Sequence, residues 1–257
     1  MDLRYFAARA INRALMFIGL RARRQIARDF ALTESQILSV RSRDTEMHRS
    51  FFAKGKRPAH KWQQYLDVYD KHLSGLKGKP IFFLEIGVMD GGSLEMWRRY
   101  FGTEATIVGI DIDPRCADLV DTPNIIRVGS QADPVFLRKL IQEFGAPDVV
   151  LDDGSHIATH QRASLEILFP MLKPDSLYII EDMHTSYWPD YEGGYKRGGT
   201  AVELVKSLID ELHSAYHDRQ ITPIYQSISG LHVYDSVTVI EKKPDKLRSG
   251  YLEGGIG

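Results

Sequence analysis

The chain has 257 residues, 43% of them hydrophobic, and a formal net charge of −1 at pH 7. This length and composition suffice for one sizeable core, and the neutral balance gives no overall positive field that would attract nucleic acid. A single cysteine, Cys116, excludes a disulfide framework and favours a reducing, cytoplasmic compartment. No apolar run approaches the roughly 20 residues of a membrane-spanning helix, and we expect no secretory signal at the N-terminus.

The first 28 residues depart from this neutral balance. Their arginines alternate with apolar side chains in a pattern typical of a basic amphipathic helix, and they are Arg4, Arg9, Arg13, Arg21, Arg23, Arg24 and Arg28. We expect a helical arm over residues 1–55, followed by one domain over residues 56–257. The arm would pack on its own domain or on a second subunit of a homo-oligomer. The alternative is peripheral contact with an anionic membrane surface.

From residue 81 onward, short apolar runs alternate with helical patterns. Strands are predicted over residues 81–88, 105–111, 124–129, 148–152 and 176–182, and helices over residues 92–101, 134–144, 158–172 and 199–212. Strands separated by helices form a parallel sheet that is buried on both faces. Residues 231–242 hold two strand-like halves without room for a crossover, so they should form an antiparallel hairpin. The sequence predicts an α/β protein with a Rossmann-like, doubly wound, mostly parallel seven-stranded sheet.

Two further segments have less regular patterns. Trp62, Tyr65 and Tyr69 fall at helical spacing, which predicts a helix that lays one face on the domain. The irregular run at residues 188–199 is rich in glycine and aromatic residues, and it is typical of a lid over a ligand site.

The end of the first strand carries the first candidate binding residues. Ligands of open parallel sheets bind beyond the carboxyl ends of the strands. Here Glu85 lies in the strand, Gly87 in the turn, and Ser93 at the start of the next helix, whose free N–H groups favour an anion. The run EIGVMDGGS lacks the GxGxxG spacing of a dinucleotide site. It resembles the first motif of Rossmann-like methyltransferases that use S-adenosylmethionine.

The next strand ends extend this donor site. Asp111, at the end of the second strand, is placed to accept hydrogen bonds from both ribose hydroxyls, and Ser130, Gln131 and Asp133 follow the third strand near the expected adenine. Asp152 completes the set of predicted donor-binding residues. The alternative is that Glu85 and Asp111 are helix caps or partners of surface lysine and arginine.

Two acidic pairs follow the fourth and fifth strands. Asp152 and Asp153 precede His156, and Glu181 and Asp182 follow the apolar run LYII. Neighbouring parallel strands lie about 4.8 Å apart, so adjacency would crowd four carboxylates on one rim. Protonation or a cation would relieve their repulsion. For a cation, oxygen ligands without cysteine favour Mg²⁺, with Ca²⁺ and Mn²⁺ as alternatives, over zinc.

A shared ion at this rim requires a turn of the chain at Asp182, and methyl transfer to an alcohol requires a base beside the ion. Neighbouring residues of a regular strand face opposite ways, so Glu181 and Asp182 can share one ion only if the strand has turned at Asp182. A sugar hydroxyl bound to such an ion has a lowered pKa, and His156 is placed to take its proton as a general base. The alternatives for His156 are a metal ligand or a helix cap. His160 and His184 are expected to be structural.

Several motifs together resemble the metal-dependent sugar O-methyltransferases, the macrolide-sugar and rhamnosyl enzymes grouped with cephalosporin-hydroxylase-like proteins. They are LDDGSH at 151–156, LYIIED at 177–182, TSYW at 185–188 and EIGVMDGGS at 85–93, and the likeness runs from about residue 56 to about residue 243. The resemblance implies a class I methyltransferase fold with S-adenosylmethionine and Mg²⁺ as cofactors.

The resemblance also implies roles for individual residues. Asp153, Glu181 and Asp182 match the family's magnesium ligands, with His156 as the base beside them. The donor-lining positions of the family match Glu85, Gly87, Asp111 and Gln131. Tyr187 and Trp188 match the aromatic start of the lid, where a ring face can stack on a sugar. Residues 56–65 match the family's donor-covering segment only loosely.

The main hypothesis is therefore a Mg²⁺-dependent O-methyltransferase of a sugar hydroxyl. The acceptor would be a glycosylated natural product, a nucleotide-sugar or a bacterial glycan. One alternative is methylation of a catechol or another vicinal diol. An iron oxygenase would more typically show two histidines and one carboxylate. A donor-binding scaffold without turnover and a dinucleotide-dependent oxidoreductase are the remaining alternatives.

Overall fold

The structure is a computed structural model that describes residues 44–119, 124–218 and 222–243. The amphipathic helix predicted over residues 1–28 lies outside the described residues, so its membrane or subunit contacts stay predictions. The domain boundary expected at residue 55 stays a prediction as well. Within the described ranges, no helix is long and apolar enough to cross a membrane.

The described residues form one seven-stranded sheet in the order β3-β2-β1-β4-β5-β7-β6. The strands are β1 (Phe82–Ile86), β2 (Thr106–Asp111), β3 (Ile125–Val128), β4 (Val149–Asp152), β5 (Ser176–Ile180), β6 (Ile228–Val233) and β7 (Thr238–Lys242). Strands β1 to β5 pair in parallel, and β7 is antiparallel to both β5 and β6. The predicted sheet and its terminal hairpin are confirmed. Strand β6 begins earlier than expected because a bulge between Ile228 and Gly230 breaks the alternating pattern there.

Helices cover both faces of the sheet. They are α1 (Glu46–Phe52), α2 (Gln63–Leu73), α3 (Gly92–Phe101), α4 (Pro134–Phe144), α5 (Ala158–Leu168) and α6 (Ala201–Leu212). The pleat of β1 explains the two layers, since alternate side chains of a strand point to opposite faces. Phe83 belongs to one buried cluster with residues of α1, α2 and α3, whereas Phe82 and Leu84 belong to the other with residues of α4, α5 and α6.

Helix ends follow local sequence signals. Asp133 caps α4 by accepting hydrogen bonds from the N–H groups of Val135 and Phe136, and Pro134 occupies the first helical position. The side chain of Asp133, a candidate for adenine contact, is therefore engaged as a helix cap. Helix α5 ends at Leu168, before the predicted residue 172, because Pro170 cannot continue the backbone hydrogen bonds.

The strand register brings the candidate site residues to one edge. Ile86 of β1 pairs with Asp152 of β4, and Asp152 pairs with Ile180 of β5. The residues that follow these positions, Gly87, Asp153 and Glu181, therefore emerge side by side at the carboxyl edge of the sheet. Strand β1 lies between β2 and β4, where the order of the strands reverses, and ligands of doubly wound sheets bind at such a point.

Candidate active site

The glycine turn after β1 packs directly on the loop after β4. Gly87 has φ +97°, and a Cβ atom at this position would lie 2.2 Å from the carbonyl oxygen of Asp153. A side chain there would meet both backbone strain and a steric clash, so only glycine fits. The predicted donor turn and the predicted metal loop are thus in backbone contact.

The segment before α2 crosses the start of α3. A Cβ atom on Gly92 would lie 2.1 Å from the carbonyl oxygen of Pro58, and the N–H of Lys56 donates to Glu95 Oε2 at 2.9 Å. The chain around residues 56–58 therefore lies over the first turn of α3, which is where a donor-covering segment is expected.

The carboxylate of Glu85 is buried and already accepts hydrogen bonds from neighbouring side chains. Its carboxylate accepts hydrogen bonds from Ser93 Oγ at 2.9 Å and Trp97 Nε1 at 3.1 Å. Burial raises the pKa of Glu85 to about 7, although Lys61, 4.0 Å away, opposes the shift. The predicted donor residues Glu85 and Ser93 contact each other and join β1 to the start of α3.

Asp111 holds the glycine turn against the end of β2. Its Oδ2 accepts from the N–H groups of Val88 at 2.8 Å and Met89 at 3.0 Å, and its Oδ1 accepts from Asp113 N at 2.9 Å. A carboxylate has about four acceptor positions, so these three bonds and the nearby Cys116 thiol leave too few for both of the expected ribose hydroxyls. Ser130, half-buried after β3, accepts from the N–H of Ala132 at 3.2 Å.

The expectation that four carboxylates crowd one rim is not met, because Asp152 faces the α5 side of the sheet. It is fully buried and accepts hydrogen bonds from Gln131, Ser164 and Tyr178. Burial raises its pKa. Gln131 Oε1 also accepts from the N–H of Ser155 at 2.8 Å. The buried Gln131 and Asp152 therefore hold the LDDGSH loop in place through hydrogen bonds.

The other three carboxylates converge on the side of α2. Strand β5 ends at Ile180, and Asp182 has a left-handed backbone with φ +53°, so the chain has turned at Asp182 as the shared-ion hypothesis requires. Asp153 Oδ2 and Glu181 Oε1 lie 2.5 Å and 2.7 Å from Lys61 Nζ.

Two phenols complete this cluster. Tyr65 OH donates to Asp182 Oδ1 at 2.7 Å, and Tyr69 OH donates to Glu181 Oε1. Tyr65 and Tyr69 are four residues apart and lie on one face of α2, whereas Lys61 lies in the segment just before the helix. The sequence interpretation treated this helix as packing alone and missed the polar role of these side chains. The four-residue spacing of Tyr65 and Tyr69 indicates a shared helix face, but no local signal marks Lys61.

Burial and neighbouring charges act against each other in the electrostatics of the cluster. Burial and the neighbouring charge of Asp153 raise the pKa of Glu181 well above its usual range, while Lys61 opposes the shift. Burial would lower the pKa of Lys61, but Asp153, Glu181 and Glu85 outweigh it and raise that pKa. Burial would likewise raise the pKa of Asp182, yet His156 and the Tyr65 hydroxyl outweigh it and leave that pKa below its usual value.

His156 lies beside these carboxylates in a strained conformation. Its φ is +57°, a region that non-glycine residues adopt at an energetic cost and mostly where function requires it. Its Nε2 is 3.4 Å from Asp182 Oδ2 and 3.9 Å from Asp153 Oδ1. Among the described residues, no hydrogen-bond partner is found for its buried Nδ1. The backbone at His156 thus directs its Nε2 toward Asp153 and Asp182.

The donor atoms fit a hard divalent ion. One ligand atom each from Asp153, His156 and Asp182 lies within 4.8 Å of the others, and carboxylate oxygens are the ligands that Mg²⁺ prefers. Glu181, the third predicted ligand, is instead engaged by Lys61 and Tyr69. The predicted ligand set is thus brought to one place, with two of its members, Asp153 and Glu181, in contact with the ammonium group of Lys61.

Aromatic rings border His156 on the lid side. Successive ring centroids lie 5.8 Å apart for Trp62 and His184, 4.7 Å for His184 and Trp188, 6.1 Å for Trp188 and Tyr191, and 6.2 Å for Tyr191 and His156. Trp188 is half-buried within this row, whereas Tyr187 is 47% exposed.

The two other histidines near the site are bonded to serines. His184 Nδ1 contacts Ser236 Oγ, and His160 Nδ1 lies 2.9 Å from Ser155 Oγ. These contacts agree with the structural roles that we expected for both histidines.

The seven-stranded sheet, with its parallel core and antiparallel C-terminal strands, is a class I methyltransferase fold. The chain superposes on the MycE methyltransferase of the mycinamycin biosynthetic pathway, solved in complex with Mg, SAH and mycinamycin VI. The TM-score is 0.69 at 35% identity, over 80% of this chain and 55% of that one.

Similar sequences carry the same kind of name. The chain is 36% identical over 198 residues to the 8-demethyl-8-(2-methoxy-alpha-L-rhamnosyl)-tetracenomycin-C 3'-O-methyltransferase of Streptomyces olivaceus, covering 70% of this chain and 50% of the relative. It is 39% identical over 203 residues to the mycinamicin VI 2''-O-methyltransferase of Micromonospora griseorubida, covering 73% of this chain and 49% of the relative. No protein-family model matches the chain. The resemblance to sugar O-methyltransferases is confirmed, and the chain spans about half the length of these relatives.

Proposed function

We propose that the protein is an S-adenosylmethionine-dependent, Mg²⁺-dependent O-methyltransferase that acts on a sugar hydroxyl of a glycosylated natural product. The observation that carries this proposal is the convergence of Asp153, His156 and Asp182 beside the glycine turn after β1. This convergence combines a site for a hard ion, a base and the turn for the methyl donor at the carboxyl edge of the sheet. The similar proteins that act on sugar-bearing natural products support the choice of acceptor.

Each group has a defined part in this reaction. Asp153 and Asp182 would hold the ion, which lowers the pKa of an acceptor hydroxyl when bound. His156 Nε2, already within 4 Å of both carboxylates, is placed to remove the hydroxyl proton. The neighbouring carboxylates then stabilise the imidazolium that forms. The bound sulfonium donor would supply the methyl group to the deprotonated oxygen, and its sulfur would leave as a neutral thioether.

The row of rings from Trp62 to Tyr191 would position the acceptor. Sugar rings present C–H faces that pack on aromatic faces, while their hydroxyls remain free for the carboxylates. Asp111 would accept from the ribose of the donor on the opposite side of Gly87. The two ligands would then meet at the contact between the glycine turn and the Asp153 loop.

A methyl-transfer assay with labelled donor and a panel of rhamnose- and mannose-bearing acceptors tests the proposal. We expect turnover of at least one such acceptor, loss of turnover with excess chelator, and recovery with Mg²⁺. Asp153→Asn should lose turnover even with Mg²⁺. Full activity in excess chelator would refute the metal requirement, and preferential turnover of catechols would refute the sugar acceptor.

Calorimetry separates donor binding from dinucleotide binding. S-adenosylhomocysteine should bind and NAD should not, because the glycine turn lacks the GxGxxG spacing. Binding of NAD without binding of S-adenosylhomocysteine would contradict the whole proposal.

A further inference from the structure

The ammonium group of Lys61 lies among buried carboxylates at the centre of the candidate site. Its Nζ is 2.5 Å from Asp153 Oδ2, 2.7 Å and 2.9 Å from the two oxygens of Glu181, and 4.0 Å from Glu85 Oε1. The lysine side chain is 1% exposed. A buried charge needs a partner in a low-dielectric environment, and here one cation serves three carboxylates.

Asp153 belongs to two clusters at once. Its Oδ2 contacts Lys61, while one of its oxygens also joins His156 and Asp182 in the group that fits a divalent ion. A divalent ion bound there would lie within a few ångströms of the ammonium group. Like charges at such a distance repel strongly when solvent is excluded, so the ion and the ammonium group compete for Asp153.

Glu85 is a second carboxylate within reach of the ammonium group of Lys61. This carboxylate is fully buried, and its hydrogen bonds come from the neutral groups of Ser93 and Trp97. It lies 4.0 Å from Nζ, just beyond hydrogen-bond distance. A small rotation of the lysine side chain away from Asp153 would bring the ammonium group into contact with Glu85.

We propose that Lys61 is an internal competitor of the divalent ion. In the ion-free chain, its ammonium group neutralises Asp153 and Glu181 and keeps them together. When the ion binds, the ammonium group withdraws from Asp153 toward Glu85. This inference rests on the proposed metal site, and it makes Lys61 a positioning residue that links the metal side of the site to the donor side.

Titration of Mn²⁺, used as a probe for the Mg²⁺ site, tests the inference by calorimetry. Lys61→Met removes the charge and leaves an unbranched side chain that is one atom shorter. We expect this variant to bind Mn²⁺ at least tenfold more tightly than the wild type. Its melting temperature without metal should be lower, because three carboxylates lose their cation, and Mn²⁺ should raise that temperature by more than in the wild type.

A matched control removes a lysine–aspartate pair elsewhere. Lys173 Nζ lies 2.7 Å from Asp148 Oδ2 at the opposite end of β4. Lys173→Met should bind Mn²⁺ as the wild type does. If Lys61→Met does not fold, Lys61→Gln retains two N–H donors for the carboxylates without the charge. In addition, a wild-type crystal structure with Mn²⁺ should show Lys61 Nζ beyond hydrogen-bond distance from Asp153.

The outcomes separate this inference from the proposed function. If the wild type binds Mn²⁺ but the charge-removing variants bind it equally or more weakly, the competitor role is wrong and the metal site stands. Contact between Lys61 and Asp153 in the Mn²⁺-bound structure has the same meaning. If neither wild type nor variants bind Mn²⁺, the inference and the metal part of the proposed function both fail.

Discussion

The acidic residues at the ends of β1 and β2 and those after β4 and β5 are held by different kinds of partner. We call the ends of β1 and β2 the first edge. Here Glu85 and Asp111 accept hydrogen bonds chiefly from neutral groups, namely a serine, a tryptophan and backbone N–H groups. We call the segments after β4 and β5 the second edge. Here Asp153 and Glu181 share the ammonium group of Lys61, and Asp182 lies beside His156. Neutral hydrogen bonds organise the first edge, whereas positive charge, together with the phenols of Tyr65 and Tyr69, organises the second.

This difference indicates how each edge responds to a ligand. Neutral hydrogen bonds hold the first edge in shape before any donor arrives, which reduces the entropy lost on binding. The second edge concentrates carboxylates whose repulsion grows with burial, so its geometry depends on which cation is present. Variants on the two edges should therefore separate donor binding from metal binding and chemistry.

The largest expected effect comes from His156 on the second edge. His156→Asn retains a residue type that tolerates positive φ but has no imidazole to take a proton. We expect kcat for methyl transfer to fall by about 10²–10⁴, while S-adenosylhomocysteine and Mn²⁺ bind as before. His213→Asn, an exposed histidine at the end of α6, is the control. A loss of Mn²⁺ binding in His156→Asn would make His156 a ligand instead of a base.

The contact between the two edges gives the next largest effect. Gly87→Ala places a Cβ atom against the Asp153 carbonyl and imposes a strained φ. We expect the free energy of unfolding in urea to fall by about 3 kcal/mol, the sum of backbone strain and overpacking. Gly78→Ala also imposes positive φ but has no atom within 4 Å of its Cβ, so it should cost about 1 kcal/mol. Equal losses in both variants would show that the edges are not tightly packed.

The comparison also shows where sequence reasoning succeeds. The alternation of strands and helices predicted the doubly wound sheet, because buried parallel strands have continuous apolar runs. The motifs LDDGSH and LYIIED placed Asp153, His156 and Asp182 at one edge, since strand ends in a parallel sheet meet there. The expectation that Asp152 joins the other three carboxylates was wrong, because successive side chains of a strand alternate and Asp152 faces the α5 side.

Other features depended on contacts that spacing does not encode. Lys61 is 92 residues from Asp153 and 120 residues from Glu181 in the chain, and nothing in its local sequence indicates which carboxylates it meets. Its position follows from the path of the chain over the start of α3, which Gly92 permits by its lack of a side chain. The role of α2 in the site was thus a tertiary property.

A smaller effect is expected from the first edge. Asp111→Asn replaces an acceptor by an amide that presents one acceptor oxygen to the turn and to a ribose hydroxyl. Loss of a hydrogen bond to a charged group costs about 1.5–3 kcal/mol, so Kd for S-adenosylhomocysteine should rise about tenfold or more, with Mn²⁺ binding unchanged. Asp113→Asn, which alters the neighbouring Arg115 pair, is the control. Unaltered affinity in Asp111→Asn would remove Asp111 from the donor site.

The smallest predicted effect is a pH dependence of stability that arises from His72. This residue lies at the end of α2, outside both edges. Its Nε2 lies 2.9 Å from Tyr234 OH, and its ring lies 4.7 Å from that of His232. Burial, His232 and Lys71 lower the pKa of His72, while Glu241 opposes the shift. Between this lowered pKa and the unfolded value of about 6.5, the unfolded chain binds more protons, so stability falls as the pH drops through that window.

The His72 prediction is tested as a difference, which cancels the carboxylates of both edges. The free energy of unfolding is measured at pH 7.5 and pH 5.5 for the wild type and for His72→Gln. The wild type should lose more stability on acidification than the variant, because only the wild type must protonate an imidazole that the fold keeps neutral. If the two proteins lost equal stability, the pH response would arise elsewhere, and the carboxylates around Lys61 would be the next groups to substitute.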